Sequence, residues 1–116
     1  MILIFVYGSL KQGFGNHGFI NQSPLFNATL KDYVLLTKDI GYPAIMPGEG
    51  LVEGEVYQIE DEKTKTLDRL EQHPTYYCRQ SVRVIEKDTL KMHQAFTYVI
   101  VNPSGWRPYG KTNWKR

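Results

Sequence analysis

Only one stretch of this chain carries a helical period. Between residues 61 and 72, Leu67 and Leu70 stand three apart, Glu60-Asp61 supplies a candidate N-cap and first-turn charge, and Pro74 marks the stop. The other apolar segments are short, β-branched or aromatic, and bounded by Gly, Pro or polar residues, which is the signature of strands. Residues 2–7 form a continuous apolar run ended by Gly8, predicting a strand buried on both faces. Residues 28–37, 52–59, 77–86 and 92–101 read as further strands. In the fourth, Val82 and Val84 face one side and Arg83 and Ile85 the other; in the last, Phe96, Tyr98 and Ile100 keep step. Residues 41–50, punctuated by Gly41, Pro43, Pro47, Gly48 and Gly50, read as a structured loop. Residues 8–18 also read as loop, and Pro24 limits any helix from His17 to about a turn and a half. About five strands with few helices and no strand–helix alternation predict an α+β domain around a mostly β core.

A chain of 116 residues is read as one domain, 1–116, with a Gly/Pro-punctuated tail from about 103. Hydrophobic residues make up 41% and charged residues 22%, which argues against disorder. Fourteen basic and twelve acidic side chains leave +2, too balanced to argue for a nucleic-acid partner. The single cysteine, Cys78, excludes an internal disulfide and fits a reducing compartment. No apolar run approaches the ~18–20 residues of a membrane span, and the opening MILIFVYGSL lacks the basic start and length of a signal peptide. The expectation is a cytoplasmic protein.

Gly13-Phe14-Gly15-Asn16-His17-Gly18 spells the dinucleotide-binding pattern G-x-G-x-x-G. That pattern binds pyrophosphate only where a strand turns directly into a helix within a βαβ unit. Gly13 lies six residues after Tyr7, and Pro24 cuts the helix short, so these glycines read as loop. The more informative stretch is Tyr7-Gly8-Ser9-Leu10, where a buried strand becomes a loop. Glycine there either lets backbone N–H groups approach an anionic ligand or serves only as a tight strand exit.

Glu71 follows Leu67 by four residues and therefore projects from the apolar side of the helix. An inward carboxylate is paired, hydrogen-bonded or partly protonated. Burial raises its pKa toward neutrality, the range for general acid/base work. Asp68 faces away from Leu70 and reads as solvated. Ser9 lacks the G-x-S-x-G elbow, Cys78 and His73 have no spacing that implies contact, and His17, His73 and His93 lie too far apart for a metal site. The tail, with Trp106, Tyr109 and Trp114 and ending Lys115-Arg116, reads as docking on its own domain rather than on RNA.

Four stretches occur in order. They are Ile4-Phe5-Val6-Tyr7-Gly8-Ser9-Leu10-Lys11 with Gly13, Asn16 and His17; Tyr42-Pro43-Ala44-Ile45 with Pro47-Gly48; Val52-Glu53-Gly54-Glu55-Val56-Tyr57; and Leu67-Asp68-Arg69-Leu70-Glu71 with Pro74, Tyr76-Tyr77 and Arg79. Together they resemble the gamma-glutamylcyclotransferase-like family, closest to its small gamma-glutamylamine cyclotransferase branch. The resemblance implies a compact, mostly antiparallel β-barrel flanked by short helices, with a pocket at the barrel mouth. It implies that Glu71 is the catalytic acid/base and that Tyr7, Gly8, Ser9 and Leu10 hold the substrate; in such a mechanism Tyr77 or Tyr109 is expected to wall the pocket. The expected substrate is a small γ-glutamyl amide, cyclised to 5-oxoproline with no cofactor or metal. The amine it carries, the oligomeric state, and any role of the tail as a lid stay open. So does whether the amides of residues 8–10 meet an oxyanion or a carboxylate. A non-catalytic small-molecule-binding module is the alternative.

Overall fold

The structure is a computed structural model that describes residues 1–8, 10, 11, 17–20, 22–38 and 40–114. Six strands and one α-helix follow in chain order: β1 (Ile2–Val6), β2 (Phe26–Thr37), β3 (Ala44–Ile59), α1 (Lys63–Leu70), β4 (Tyr77–Glu86), β5 (Met92–Ile100) and β6 (Arg107–Pro108), with a 3-10 turn at His17–Phe19. The strand order β3-β1-β5-β4-β2, with β3 also paired to β2, closes a five-stranded barrel, and β6 lies outside on β2. All pairings are antiparallel except β1 with β5. The barrel is therefore mixed, and among the described residues its helical flank is one α-helix and one 3-10 turn.

Period-two alternation builds two apolar layers from the same strands. Phe5, Leu30, Val52, Val84 and Val99 belong to a cluster drawn from all five barrel strands, the barrel interior. Ile4, Val6, Tyr57, Tyr98 and Ile100 form a second cluster with Leu67 of α1. The opening run is continuous in sequence because β1 contributes to both layers. β4 has the bounds its alternation predicts.

Two expectations are corrected. Residues 44–50 are strand, not loop. The β2–β3 ladder shifts register between Lys31 and Tyr33, where Asp32 takes a left-handed φ of 66°, so the long hairpin bends around the barrel at a bulge. Gly48 and Gly50 are not turn residues there: a Cβ would sit 2.8 Å from Val34 Cγ2 and 2.7 Å from the Tyr33 carbonyl oxygen respectively. The helix is also shorter than residues 61–72. Its N-cap is Glu62, with no side-chain cap. Backbone bonds from Lys63 N–H to Glu60 O and Thr64 N–H to Asp61 O hold the first turn instead. At the other end Gln72 turns left-handed, φ 54°. Gln72 N–H bonds Arg69 O at 3.2 Å and His73 N–H bonds Asp68 O at 2.8 Å, the paired bonds of a Schellman stop.

The tail packs on the barrel. β6 pairs Leu36 with Pro108 and Thr37 with Arg107, Glu53 N–H bonds Thr112 O, and Trp114 joins the interior cluster. Lys11, 5% exposed, donates through Nζ to Asn113 Oδ1 at 2.7 Å and to Trp114 O at 2.9 Å.

Candidate active site

β1 and β5 share a single ladder pair, Ile4 with Phe96. Beyond it they part, and side chains take over the linkage: Thr97 Oγ1 donates to Phe5 O at 2.9 Å, and the Tyr7 hydroxyl to Tyr98 O at 2.6 Å. A cavity of about 360 Å³ opens here. The end of β1, the segment before β3, the C-terminal turn of α1 and the start of β4 wall it, through Tyr7, Gly8, Leu10, Pro43, Glu71 and Tyr77 among others.

Glu71 is the helix C-cap. Its N–H bonds Leu67 O at 2.9 Å and its carbonyl accepts Tyr77 N–H at 3.2 Å, so the backbone on both sides is fixed and the side chain faces the cavity. Burial pushes its carboxyl up to about 7. It is the only charged side chain among the described residues that line the cavity.

Three phenols surround it, and each hydrogen is committed elsewhere. Tyr7 donates to Tyr98 O, Tyr77 to Pro43 O at 2.6 Å, and Tyr98 to Asp68 Oδ1 at 2.6 Å. Burial first, and then neighbouring charge that includes Glu71, pushes all three phenols well above their ordinary value, so they remain donors at any physiological pH. Among the described residues none donates a hydrogen bond to the Glu71 carboxyl.

Gly8 brings the exit of β1 against Pro43, on the wall of the cavity that Glu71 also lines. A Cβ on Gly8 would lie 2.9 Å from Pro43 Cδ and Cγ, so only glycine allows the approach. Lys11 N–H bonds Gly8 O at 3.0 Å, closing a turn. His17 Nδ1 lies 3.0 Å from Leu10 O; a carbonyl only accepts, so Nδ1 carries the proton and pins the turn from beyond.

Tyr7, Gly8, Leu10, Glu71 and Tyr77 are thus brought together. Ser9 lies outside the described residues, as do Gly13, Gly15 and Asn16 of the glycine pattern. Tyr109 is a correction: it does not line the cavity, because its ring stacks on Trp114 with centroids 4.9 Å apart and its N–H bonds Leu35 O. Asp68 is a second correction. It is not solvated but accepts Tyr98 and lies 3.2 Å from Arg79 Nε; that N–H is not aimed at the oxygen, so the contact is an ion pair without a hydrogen bond. Tyr42, Tyr76 and Tyr98 also line the cavity. Tyr42 and Tyr76 stand in the stretches that carry the resemblance, and Tyr98 in a strand alternation, but no sequence pattern placed these three at the site. Among the described residues no group of three His, Cys, Asp or Glu side chains is placed to hold a metal, and no helix is long and apolar enough to cross a membrane.

The barrel superposes on a crystal structure of an AIG2-like protein from Mus musculus with a TM-score of 0.84 at 25% identity, covering 99% of this chain and 88% of that one. Fold and cavity thus define a barrel of the AIG2-like class. The family described as gamma-glutamyl cyclotransferase, AIG2-like, matches residues 4–116. Gamma-glutamylaminecyclotransferase of Homo sapiens is 39% identical over 95 residues, 72% of this chain and 62% of that protein. Gamma-glutamylcyclotransferase family protein YtfP of Escherichia coli K12 is 39% identical over 82 residues, 69% of this chain and 71% of that protein. The chain belongs to the gamma-glutamylcyclotransferase family.

Proposed function

We propose that this protein is an enzyme that closes the glutamyl part of a γ-glutamyl amide into 5-oxoproline and releases the amine, with Glu71 as general acid/base. The observation that carries the reading is the Glu71 carboxyl, buried in a cavity without a donor among the described residues and raised to about 7 by burial.

The substrate's α-amino nitrogen attacks its own side-chain carbonyl carbon. A C–N bond forms in a five-membered ring, and the C–N bond to the departing amine breaks. Holding the substrate folded removes much of the entropic barrier of such an intramolecular attack. The nucleophile arrives protonated, with a reference pKa near about 8. As the ring closes the α-nitrogen sheds two protons, and a carboxyl near 7 is well matched to relay them to the departing nitrogen, which leaves as an ammonium. Backbone N–H groups of residues 8–10 meet either the charge that develops on the carbonyl oxygen or the substrate carboxylate. No water is consumed and no electrons are exchanged.

The test is release of 5-oxoproline from a panel of γ-glutamyl amides by the native protein and by Glu71→Gln. Turnover by the native protein that is lost in the variant, with amide binding retained, supports the reading. Binding without turnover by either protein replaces the enzyme with a binding module.

A further inference from the structure

Three aromatic rings stand at the cavity mouth, and the ring closure itself does not use them. Tyr42 and Tyr76 line the cavity; their hydroxyls are 3.1 Å apart, and their rings meet edge-on, centroids 6.4 Å apart at 71°. Trp106 does not itself line the cavity but adjoins Tyr42, ring centroids 6.2 Å apart. The three come from separate parts of the chain. Tyr42 precedes β3 and Tyr76 precedes β4. Trp106 sits in a turn closed by its N–H to Pro103 O, held in place by the pairing of β6 with the end of β2. The same pairing brings Lys38 over the indole, Nζ 4.8 Å from the ring centroid. Tyr42 is 37% exposed, and Tyr76 and Trp106 are half-buried, so the rings are open to a ligand.

We propose that Tyr42, Tyr76 and Trp106 form the subsite for the departing amine, and that they select γ-glutamyl amides of aromatic amines without a second positive charge. The proposal rests on the cyclisation reading of Glu71. With the glutamyl part folded over Glu71 and the turn from Gly8, the substituent on the departing nitrogen has to leave through the mouth, where it meets ring faces and edges. Aromatic substituents gain most from such a wall, by offset or edge-to-face contact. The Trp106 face already carries the Lys38 ammonium, so a second cation meets like charge at that ring. The carboxyl of Glu71, the one charged group among the described lining residues, is engaged with the α-amine.

The test compares kcat/KM for γ-glutamyl-phenethylamide, γ-glutamyl-butylamide and mono-γ-glutamyl-1,4-diaminobutane. The phenethylamide is expected to lead the butylamide by about tenfold, with the diaminobutane amide slowest. Trp106→Ala and, independently, Tyr76→Leu each reduce the phenethyl-to-butyl ratio by about fivefold. A flat series, a preference for the diaminobutane amide, or ratios untouched by both variants overturns the proposal. Calorimetric binding of the same amides to Glu71→Gln separates the two readings. Aromatic preference in binding, with no turnover by the native protein, keeps the subsite and removes the chemistry. Turnover without aromatic preference keeps the chemistry and removes the subsite.

Discussion

The Tyr98 hydroxyl donates to Asp68 Oδ1 at 2.6 Å, three residues before Glu71 on the last turn of the helix. The Arg79 side chain of β4 faces the same oxygen, Nε at 3.2 Å, and the Arg79 backbone N–H donates to His73 Nδ1 at 2.9 Å. The end of α1 is thereby pinned to β5 and β4 at the point where Glu71 leaves it. A hydrogen bond to a charged group contributes about 1.5–3 kcal/mol. Tyr98→Phe is expected to lose about that much in urea unfolding, and 5-oxoproline release should fall with it. Unchanged stability together with unchanged turnover would show that Asp68 does not position Glu71.

Burial gives Glu71 an unusual pH signature. Its carboxyl titrates near 7 in the folded chain and near about 4.3 when unfolded. Between those values the folded state holds a proton that the unfolded state has released, so stability falls as pH rises through the window. The penalty is absent below the unfolded value and complete above about pH 7; at about 1.4 kcal/mol per unit it reaches up to about 4 kcal/mol. Glu71→Gln carries a neutral side chain across the window. Its urea midpoint should match that of the native protein near pH 4 and exceed it at pH 8. The native kcat/KM should rise toward pH 7 as the carboxylate forms. Parallel stability profiles for the two proteins would contradict a buried Glu71.

Local patterns were legible in the sequence, and tertiary closures were not. Glu71 could be placed on the apolar side because Leu67 lies one turn behind it on the same helix. The opening strand could be read as doubly buried because its side chains alone encode that: Ile4 and Val6 on one layer, Phe5 and Tyr7 on the other. Residues 44–50 misled because Gly48 and Gly50 look like turn signals, while Val34 and Tyr33 on the opposing strand set their role. The partners of Asp68 come from β4 and β5, which no pattern on α1 reveals. Tyr109 does not wall the cavity, because the nearby Trp114 holds its ring elsewhere, a contact that no local pattern in the tail reveals. The mouth rings of Tyr42, Tyr76 and Trp106 meet only when the barrel closes and β6 folds back.

Gln72 occupies the helix-stop position that glycine usually fills, at φ 54°. A left-handed conformation costs a residue with a Cβ about 1–2 kcal/mol, and glycine avoids most of that. The residue also lines the cavity beside Glu71, a place where a chain retains strain for function. Gln72→Gly is expected to raise stability by about 0.5–1 kcal/mol in urea unfolding. If the Gln72 side chain contacts substrate, KM rises while kcat holds. A loss of stability in this variant would mean that the Gln72 side chain contributes more than the strain removes.

Gly8 and Pro43 test the turn that follows β1. The space a Cβ would need on Gly8 is filled by Pro43 Cδ and Cγ at 2.9 Å. Pro43 cannot easily withdraw, since its carbonyl accepts the buried Tyr77 hydroxyl at 2.6 Å. The turn itself is closed by Lys11 N–H on Gly8 O. Gly8→Ala must therefore displace the turn relative to Glu71, and a misplacement of about 1 Å costs on the order of 10²-fold in rate. The expected result is a chain that still folds, losing about 1–3 kcal/mol to overpacking, with kcat/KM for the γ-glutamyl amide down about a hundredfold. Removing the obstruction makes the cause separable: Gly8→Ala with Pro43→Ala restores room for the methyl group, so the double variant should recover part of the activity that Gly8→Ala loses, a coupling of neighbours rather than a sum. Turnover lost equally in the single and double variants would mean that Gly8 matters through its backbone conformation and not through its approach to Pro43.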